Sequence, residues 1–292
     1  MLRIAIQSKG RLSDDSLALL RDAGIMVDEL KRKFLGKATN FPLELLYLRD
    51  DDIPGVVADG SADIGIVGFN EVAESGLLAD GPAVPGKVTL ERKLGFGKCH
   101  ISLAIPKNQE YTDPSFFNGK SIATSYPYVL EGWLKENNVD ARVRKILGSV
   151  EIAPAASIAD AIFDIVSSGG TLVSNGLKEV VKVLDSEAVL ISGPSMDEEK
   201  RRILSSLLFR FDSIANSAGK KYILMNLPTE SVDEAVKLLP AMRSPTVMPL
   251  AAEGWCSLHS VVLEKELWDK IEKLKAIGAE GILVLDLDKI IL

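Results

Sequence analysis

At 292 residues, with 47% hydrophobic and 26% charged side chains, the chain has an ordinary globular composition and is long enough for two or three units that each bury a core. A net charge of −7 argues against a nucleic-acid surface, and no apolar run approaches the ~20 residues of a membrane helix. The opening MLRIAIQSKG starts as a strand without an apolar leader, and Cys99 and Cys256 form no metal or redox spacing, so a cytoplasmic protein with reduced thiols is expected.

From the N-terminus, short β-type runs alternate with helical ones: RIAIQ then SDDSLALLRDAGI, LELLYLR then DDIPGVVADGSA, DIGIVGF then NEVAESG. Alternation of this kind predicts parallel sheets covered by helices. QSKGRL, residues 7 to 12, follows the first strand and carries Lys9 and Arg11 around Gly10. Strand ends of open α/β sheets are where ligands are met, and two cations there suit a polyphosphate. The alternative is that Ser13 caps the next helix and the cations are solubilising. Arg49 stands at another strand end before three aspartates that suit a first helical turn. Asn70 lies just beyond the buried run ending in Gly68.

VTLERKLGFGKCHISLAIP is long for one strand and has Gly95 and Gly97 near its middle, which predicts a crossing from one lobe to another. A second alternating set follows: SIATSYPY, YVLEGWLKENNV, ARVRKILGSVEIA and SIADAIFDIVSSGG. In the last of these, Ile158, Ala161, Ile162, Ile165 and Val166 form a stripe at helical spacing, with Asp160 and Asp164 together on the opposite flank. The pair is either an ordinary solvated helix face or a grip on ribose hydroxyls or a ligand-bound Mg²⁺.

The stretch DIVSSGGTL, residues 164 to 172, reads either as a helix stop or as a phosphate loop, because glycines let backbone N–H groups turn toward an anion while Ser and Thr add donors. After it come LKEVVKVLDSEAVLISG as strand and DEEKRRILSSLLFRFDSIANSAG as a long helix ending in Gly219. The expected division is a first lobe of residues 1–93 and 173–219, a second of 94–172, and a cleft between them. Residues 220–292 then give strand, helix, strand, strand, helix, strand, the order of a ferredoxin-like unit. His100 and His259 are the only histidines, and neither has a partner at metal-ligand spacing.

With these segments in order, the chain resembles the long form of the ATP phosphoribosyltransferases over its whole length. The resemblance rests on IAIQSKGRL, ADIGIVGFN, LGFGKCHISLAIP, IATSYP, GSVEIAPAASIADAIFDIVSSGGTLVSNGL, LMNLPTE, LLPAMRSPTVMPL and LKAIGAEGILVLDL. It implies a two-lobed, periplasmic-binding-protein-like (type II) catalytic part plus a C-terminal ferredoxin-like α+β regulatory domain. A solute receptor shares the two lobes, but the phosphate-type loop and the missing export signal weigh against it. The implied reaction is transfer of the phosphoribosyl group of phosphoribosyl pyrophosphate to N1 of ATP, with Mg²⁺ and release of pyrophosphate, as the first step of histidine biosynthesis.

On this resemblance Ser167, Ser168, Gly169, Gly170 and Thr171 hold the 5′-phosphate, and Asp164, with Asp160 assisting, faces the ribose. Lys9, Gly10, Arg11 and Asn70 meet ATP, while Arg49 joins Lys9 and Arg11 in neutralising phosphates. Magnesium is held mainly through substrate. The resemblance also implies dimers assembling into a hexamer and feedback inhibition by histidine, with Ser244, Thr246 and Leu250 as candidates for the inhibitor pocket; no nucleic acid or membrane is expected as a partner. Two departures are Asn70, where many members have Asp, and Ala156-Ser157, where a glycine-containing pair is more usual.

Overall fold

The computed structural model describes residues 1–28, 35–79, 84–167, 169–239 and 244–292. It divides into two compact units, Met1–Ser205 and Ser206–Leu292. The first contains two sheets. One has β1 (Leu2–Gln7), β2 (Leu35–Lys37), β3 (Leu43–Leu48), β4 (Ile64–Gly68), β5 (Thr89–Lys93) and β11 (Ala188–Ser192), in the order β2-β3-β1-β4-β11-β5. The other has β6 (Cys99–Pro106), β7 (Ser121–Thr124), β8 (Arg142–Lys145), β9 (Ala161–Val166) and β10 (Leu177–Ser186), in the order β10-β6-β9-β7-β8.

The apolar runs become strands because they are covered on both faces. Ile4, Ala5 and Ile6 of β1 and Ile64, Ile66 and Val67 of β4 are fully buried, each large side chain contributing ~1.5–3 kcal/mol. Helices α1 (Arg11–Asp22), α2 (Ile53–Ala58) and α3 (Phe69–Ser75) follow β1, a 3₁₀ turn after β3, and β4. In the first sheet β1 pairs in parallel with both β3 and β4, so the ends of these three strands lie along one edge. In the second sheet β7 and β9 are parallel, and α4 (Pro127–Glu136) packs Leu130 and Leu134 against Phe163, Ile122 and Phe117.

The expected crossing exists: β5 belongs to the first sheet and β6 to the second, with Gly95 and Gly97 between them. A return crossing joins β10 to β11 at Glu187. Two expectations are corrected. Residues 177–186, expected in the first lobe, pair along β6 as β10 and so belong to the second sheet. Residues 161–166, expected within a helix, form β9 between β6 and β7. The stripe at helical spacing was a two-sided apolar strand, because Ala161, Ile162 and Phe163 are all fully buried and a central strand needs no alternation.

The second unit begins inside α6 (Glu198–Ser217), earlier than the boundary expected after Gly219. It continues with β12 (Lys220–Pro228), α7 (Val232–Leu238), β13 (Thr246–Pro249), β14 (Trp255–Leu263), α8 (Leu267–Ala276) and β15 (Glu280–Asp286). The antiparallel order β13-β14-β12-β15 is that of a ferredoxin-like unit. Ile223, Met225, Leu227 and Leu258 form its core beneath the helices. Among the described residues no helix is long and apolar enough to cross a membrane.

Candidate active site

The loop at the C-terminal end of β9 closes one side of a cavity of about 320 Å³, lined among others by Cys99, Glu151, Asp164, Ser167, Gly169 and Thr171. Gly169 has φ 73°, a left-handed conformation that any side chain would strain by ~1–2 kcal/mol. It opens the short helix α5 (Gly170–Ser174), whose first N–H groups have no intrahelical acceptor. Ser167 and Thr171 are exposed beside it. Ser168 lies outside the described residues.

Asp164 points from β9 into the same cavity, and Ile165 N–H donates to its Oδ1 at 2.8 Å. Burial, with a smaller contribution from the charge of Glu151, raises its carboxyl from the ordinary value of 3.8 to about 6. Asp160 is not brought to this cavity. It precedes β9 at the opposite strand end, four residues and roughly 13 Å from Asp164, and its Oδ2 accepts the Ser121 N–H at 2.7 Å and hydroxyl at 2.8 Å. Those donors hold its carboxyl below the usual range.

In the first lobe the predicted cations share an edge, because Ser8 N–H donates to Leu48 O at 2.7 Å and Gln7 Nε2 to Asp50 Oδ2 at 3.2 Å. Lys9, Gly10 and Arg11 are exposed beyond β1. The Arg11 side chain is 88% exposed with Asp15 at 3.7 Å, so water screens the pair and leaves the guanidinium available to an anion. Arg49 follows β3 and makes two contacts with Asp51, at 3.1 and 3.2 Å.

Asn70 is different, being 5% exposed and fully engaged. Its Nδ2 donates to Glu71 at 2.8 Å and to the Tyr126 hydroxyl at 3.2 Å, and its Oδ1 accepts from Ser186 Oγ at 2.7 Å. An aspartate here would set a second carboxylate against Glu71 and lose both donors, which is a physical reason for the amide in this chain. The network holds residues that the sequence reading missed: Glu71, Tyr126 and Ser186. Burial first, then Asp50, raises the Glu71 carboxyl to about 7, and burial with the Glu71 charge pushes the Tyr126 hydroxyl up. No local pattern could have paired Glu71 with Tyr126, 55 residues away.

The structure thus sets a loop of glycines and hydroxyls on one lobe and exposed cations on the other, and comparison with known proteins gives the family. A family model described as "HisG: ATP phosphoribosyltransferase" matches residues 49–213, and "HisG, C-terminal domain" matches 217–289. The chain belongs to the ATP phosphoribosyltransferase family. The ATP phosphoribosyltransferase of Bacteroides fragilis is 53% identical over 292 residues, covering 100% of both chains. That of Phocaeicola vulgatus is 54% identical with the same coverage. The solved "ATP phosphoribosyl transferase (HisG:HisZ) complex from Thermotoga maritima" is 25% identical at a TM-score of 0.60, covering 73% of this chain and 97% of that one. Long-form ATP phosphoribosyltransferases are glycosyltransferase-type enzymes of the first step of histidine biosynthesis, and this chain carries both family regions.

In the C-terminal unit, Thr246 lies on the edge strand β13 opposite His259, and Leu250 N–H donates to Trp255 O at 3.0 Å. The Ser244 hydroxyl donates to Pro245 O at 3.3 Å. His259 itself is held between the Tyr222 hydroxyl at 2.7 Å and Ser257 Oγ at 3.1 Å, and His100 meets Glu179 at 2.9 Å.

Proposed function

We propose that the enzyme transfers the phosphoribosyl group of phosphoribosyl pyrophosphate to N1 of ATP, with the two substrates meeting between the lobes. The observation that carries this reading is the β9 loop, which brings Ser167, Gly169, Thr171 and the Asp164 carboxylate to one cavity. Ser167, Gly169, Gly170 and Thr171 receive the 5′-phosphate through backbone and hydroxyl donors. Asp164, ionised above about 6, accepts from the ribose hydroxyls and stabilises positive charge developing at C1 of the sugar as the bond to pyrophosphate lengthens. Lys9, Arg11 and Arg49 offset the charge of the ATP phosphates and the departing pyrophosphate. Catalysis is then positioning plus electrostatics and uses no histidine base.

The Asn70 amide supports the wall between the lobes in this reading, and Asp160 stays with Ser121. Among the described residues no group of three or more His, Cys, Asp or Glu could hold a metal ion. The donor set suits Mg²⁺ bound through substrate phosphates and water, with Asp164 and Glu151 as the nearby carboxylates; its chemistry when bound is to neutralise the leaving pyrophosphate. Pyrophosphate release measured with ATP, phosphoribosyl pyrophosphate and Mg²⁺ tests the assignment: release must require both substrates, and release without ATP, or none at all, would overturn it.

Residues from about 220 to 292 are proposed as the histidine-sensing part, with Ser244, Thr246 and Leu250 at the inhibitor site. A feedback signal needs at least two arrangements to bias, which a symmetric assembly of dimers into a hexamer provides. The free thiols Cys99 and Cys256 support a cytoplasmic location.

A further inference from the structure

Helix α3 of the first lobe holds the second lobe at three separate points. Both oxygens of Glu74 are engaged, Oε1 by the N–H of Tyr128 and Oε2 by that of Val129, each at 3.0 Å. These are first-turn groups of α4, which lack intrahelical acceptors and favour a negative charge. Glu71 Oε1 accepts the Tyr126 hydroxyl at 3.1 Å. Asn70 exchanges hydrogen bonds with Ser186 at the end of β10, its N–H donating at 3.0 Å and its Oδ1 accepting at 2.7 Å.

The helix that makes these contacts is itself fixed at both ends. Phe69 N–H donates to Glu187 O at 3.0 Å, and Lys87 Nζ donates to Gly76 O at 2.6 Å. Gly76 ends the helix at φ 63°, where a Cβ would stand 3.0 Å from Cζ of Tyr128. A side chain there would be strained and would displace the exposed Tyr128 ring.

The contacts lie beside the chemistry. Tyr126 follows β7, whose neighbour β9 carries Asp164 and the phosphate loop, while α3 follows β4 in the sheet whose β1 and β3 ends bear Lys9, Arg11 and Arg49. We propose that Glu71 and Glu74 form an interlobe latch with Tyr126 and the start of α4, and that this latch sets the register of the phosphate loop against the cationic strand ends. Resting on the functional reading above, the inference makes both glutamates positioning residues. Reacting atoms must be brought to about 3–3.5 Å, and a misplacement of about 1 Å costs up to ~100-fold in rate. Phosphoribosyl pyrophosphate is gripped by loop residues of the second lobe, so loosening the latch lowers kcat while the KM for that substrate stays nearly constant.

The test uses the full chain as wild type, Glu74→Ala and the milder Tyr126→Phe, which keeps the packed ring. Steady-state pyrophosphate release gives kcat and both KM values, and hydrogen exchange reports the amides of Tyr128 and Val129. The expected result is a kcat lowered ~10-fold or more in Glu74→Ala, smaller in Tyr126→Phe, with the KM for phosphoribosyl pyrophosphate within about threefold, and faster exchange confined to the α3 and α4 segments. Unchanged kcat in both variants, or unchanged exchange at Tyr128 and Val129, overturns the latch. A kcat loss matched by a large rise in KM for phosphoribosyl pyrophosphate also overturns it, since the damage would then lie in the loop. A wild type that releases no pyrophosphate refutes the functional reading instead, and exchange alone then decides the latch.

Discussion

Glu151 and Asp164 line one cavity, and their like charges add to burial in raising the Asp164 carboxyl to about 6. In the role proposed for Asp164 it is the ionised form that serves the sugar, so kcat/KM for phosphoribosyl pyrophosphate should fall as pH drops through about 6. Glu151→Gln should move that acid limb downward. A profile whose limb stays in place in this variant would separate Asp164 from the rate.

The same shift has a stability consequence. A carboxyl with a raised folded pKa favours the folded state below its ordinary value of 3.8 and loses that contribution as pH rises through about 6. Asp164→Asn should therefore be as stable as wild type or more so at pH 7.5, by ~1–3 kcal/mol at most, yet turn over far more slowly. A lower Tm together with normal turnover would return Asp164 to a structural role.

Replacing Thr171 with glutamate places a like charge where the 5′-phosphate is expected and removes a charge-assisted donor. The loss is ~1.5–3 kcal/mol, so the KM for phosphoribosyl pyrophosphate should rise ~10- to 100-fold while that for ATP changes little. Equal increases for both substrates would contradict the loop's assignment.

Ser157 adopts φ 56°, a left-handed conformation unfavourable by ~1–2 kcal/mol for a residue with a Cβ. Ser157→Gly should raise stability by ~0.5–1 kcal/mol once the extra freedom of the unfolded chain is counted, read as a small rise in Tm with unchanged kcat.

Histidine should inhibit the full-length enzyme at millimolar concentration and leave a chain ending at Ser205 unaffected. That end point follows the compact unit. A cut after Gly219 would remove the Ile290 N–H that donates to Ser213 O at 2.8 Å and the Asp288 carbonyl that accepts from Ser217 Oγ at 2.9 Å. Inhibition that persists in the shortened chain would move the inhibitor site into residues 1–205.

The sequence by itself determined the alternation of strands and helices, the crossing at Gly95 and Gly97, and the ferredoxin-like order from β12 onward. These are local signals: apolar period and turn residues act over a few positions. Only the tertiary structure decided that Ala161–Val166 is a strand, because the same apolar spacing satisfies a helix until β6 and β7 are placed on either side. The long-range pairings were decided there too. Asp160 with Ser121, Asn70 with Ser186 and Glu74 with the α4 amides join residues 39 to 116 positions apart, and a polar side chain's partner at that separation is set by which strand ends the fold brings together, a choice made by burial of the whole core.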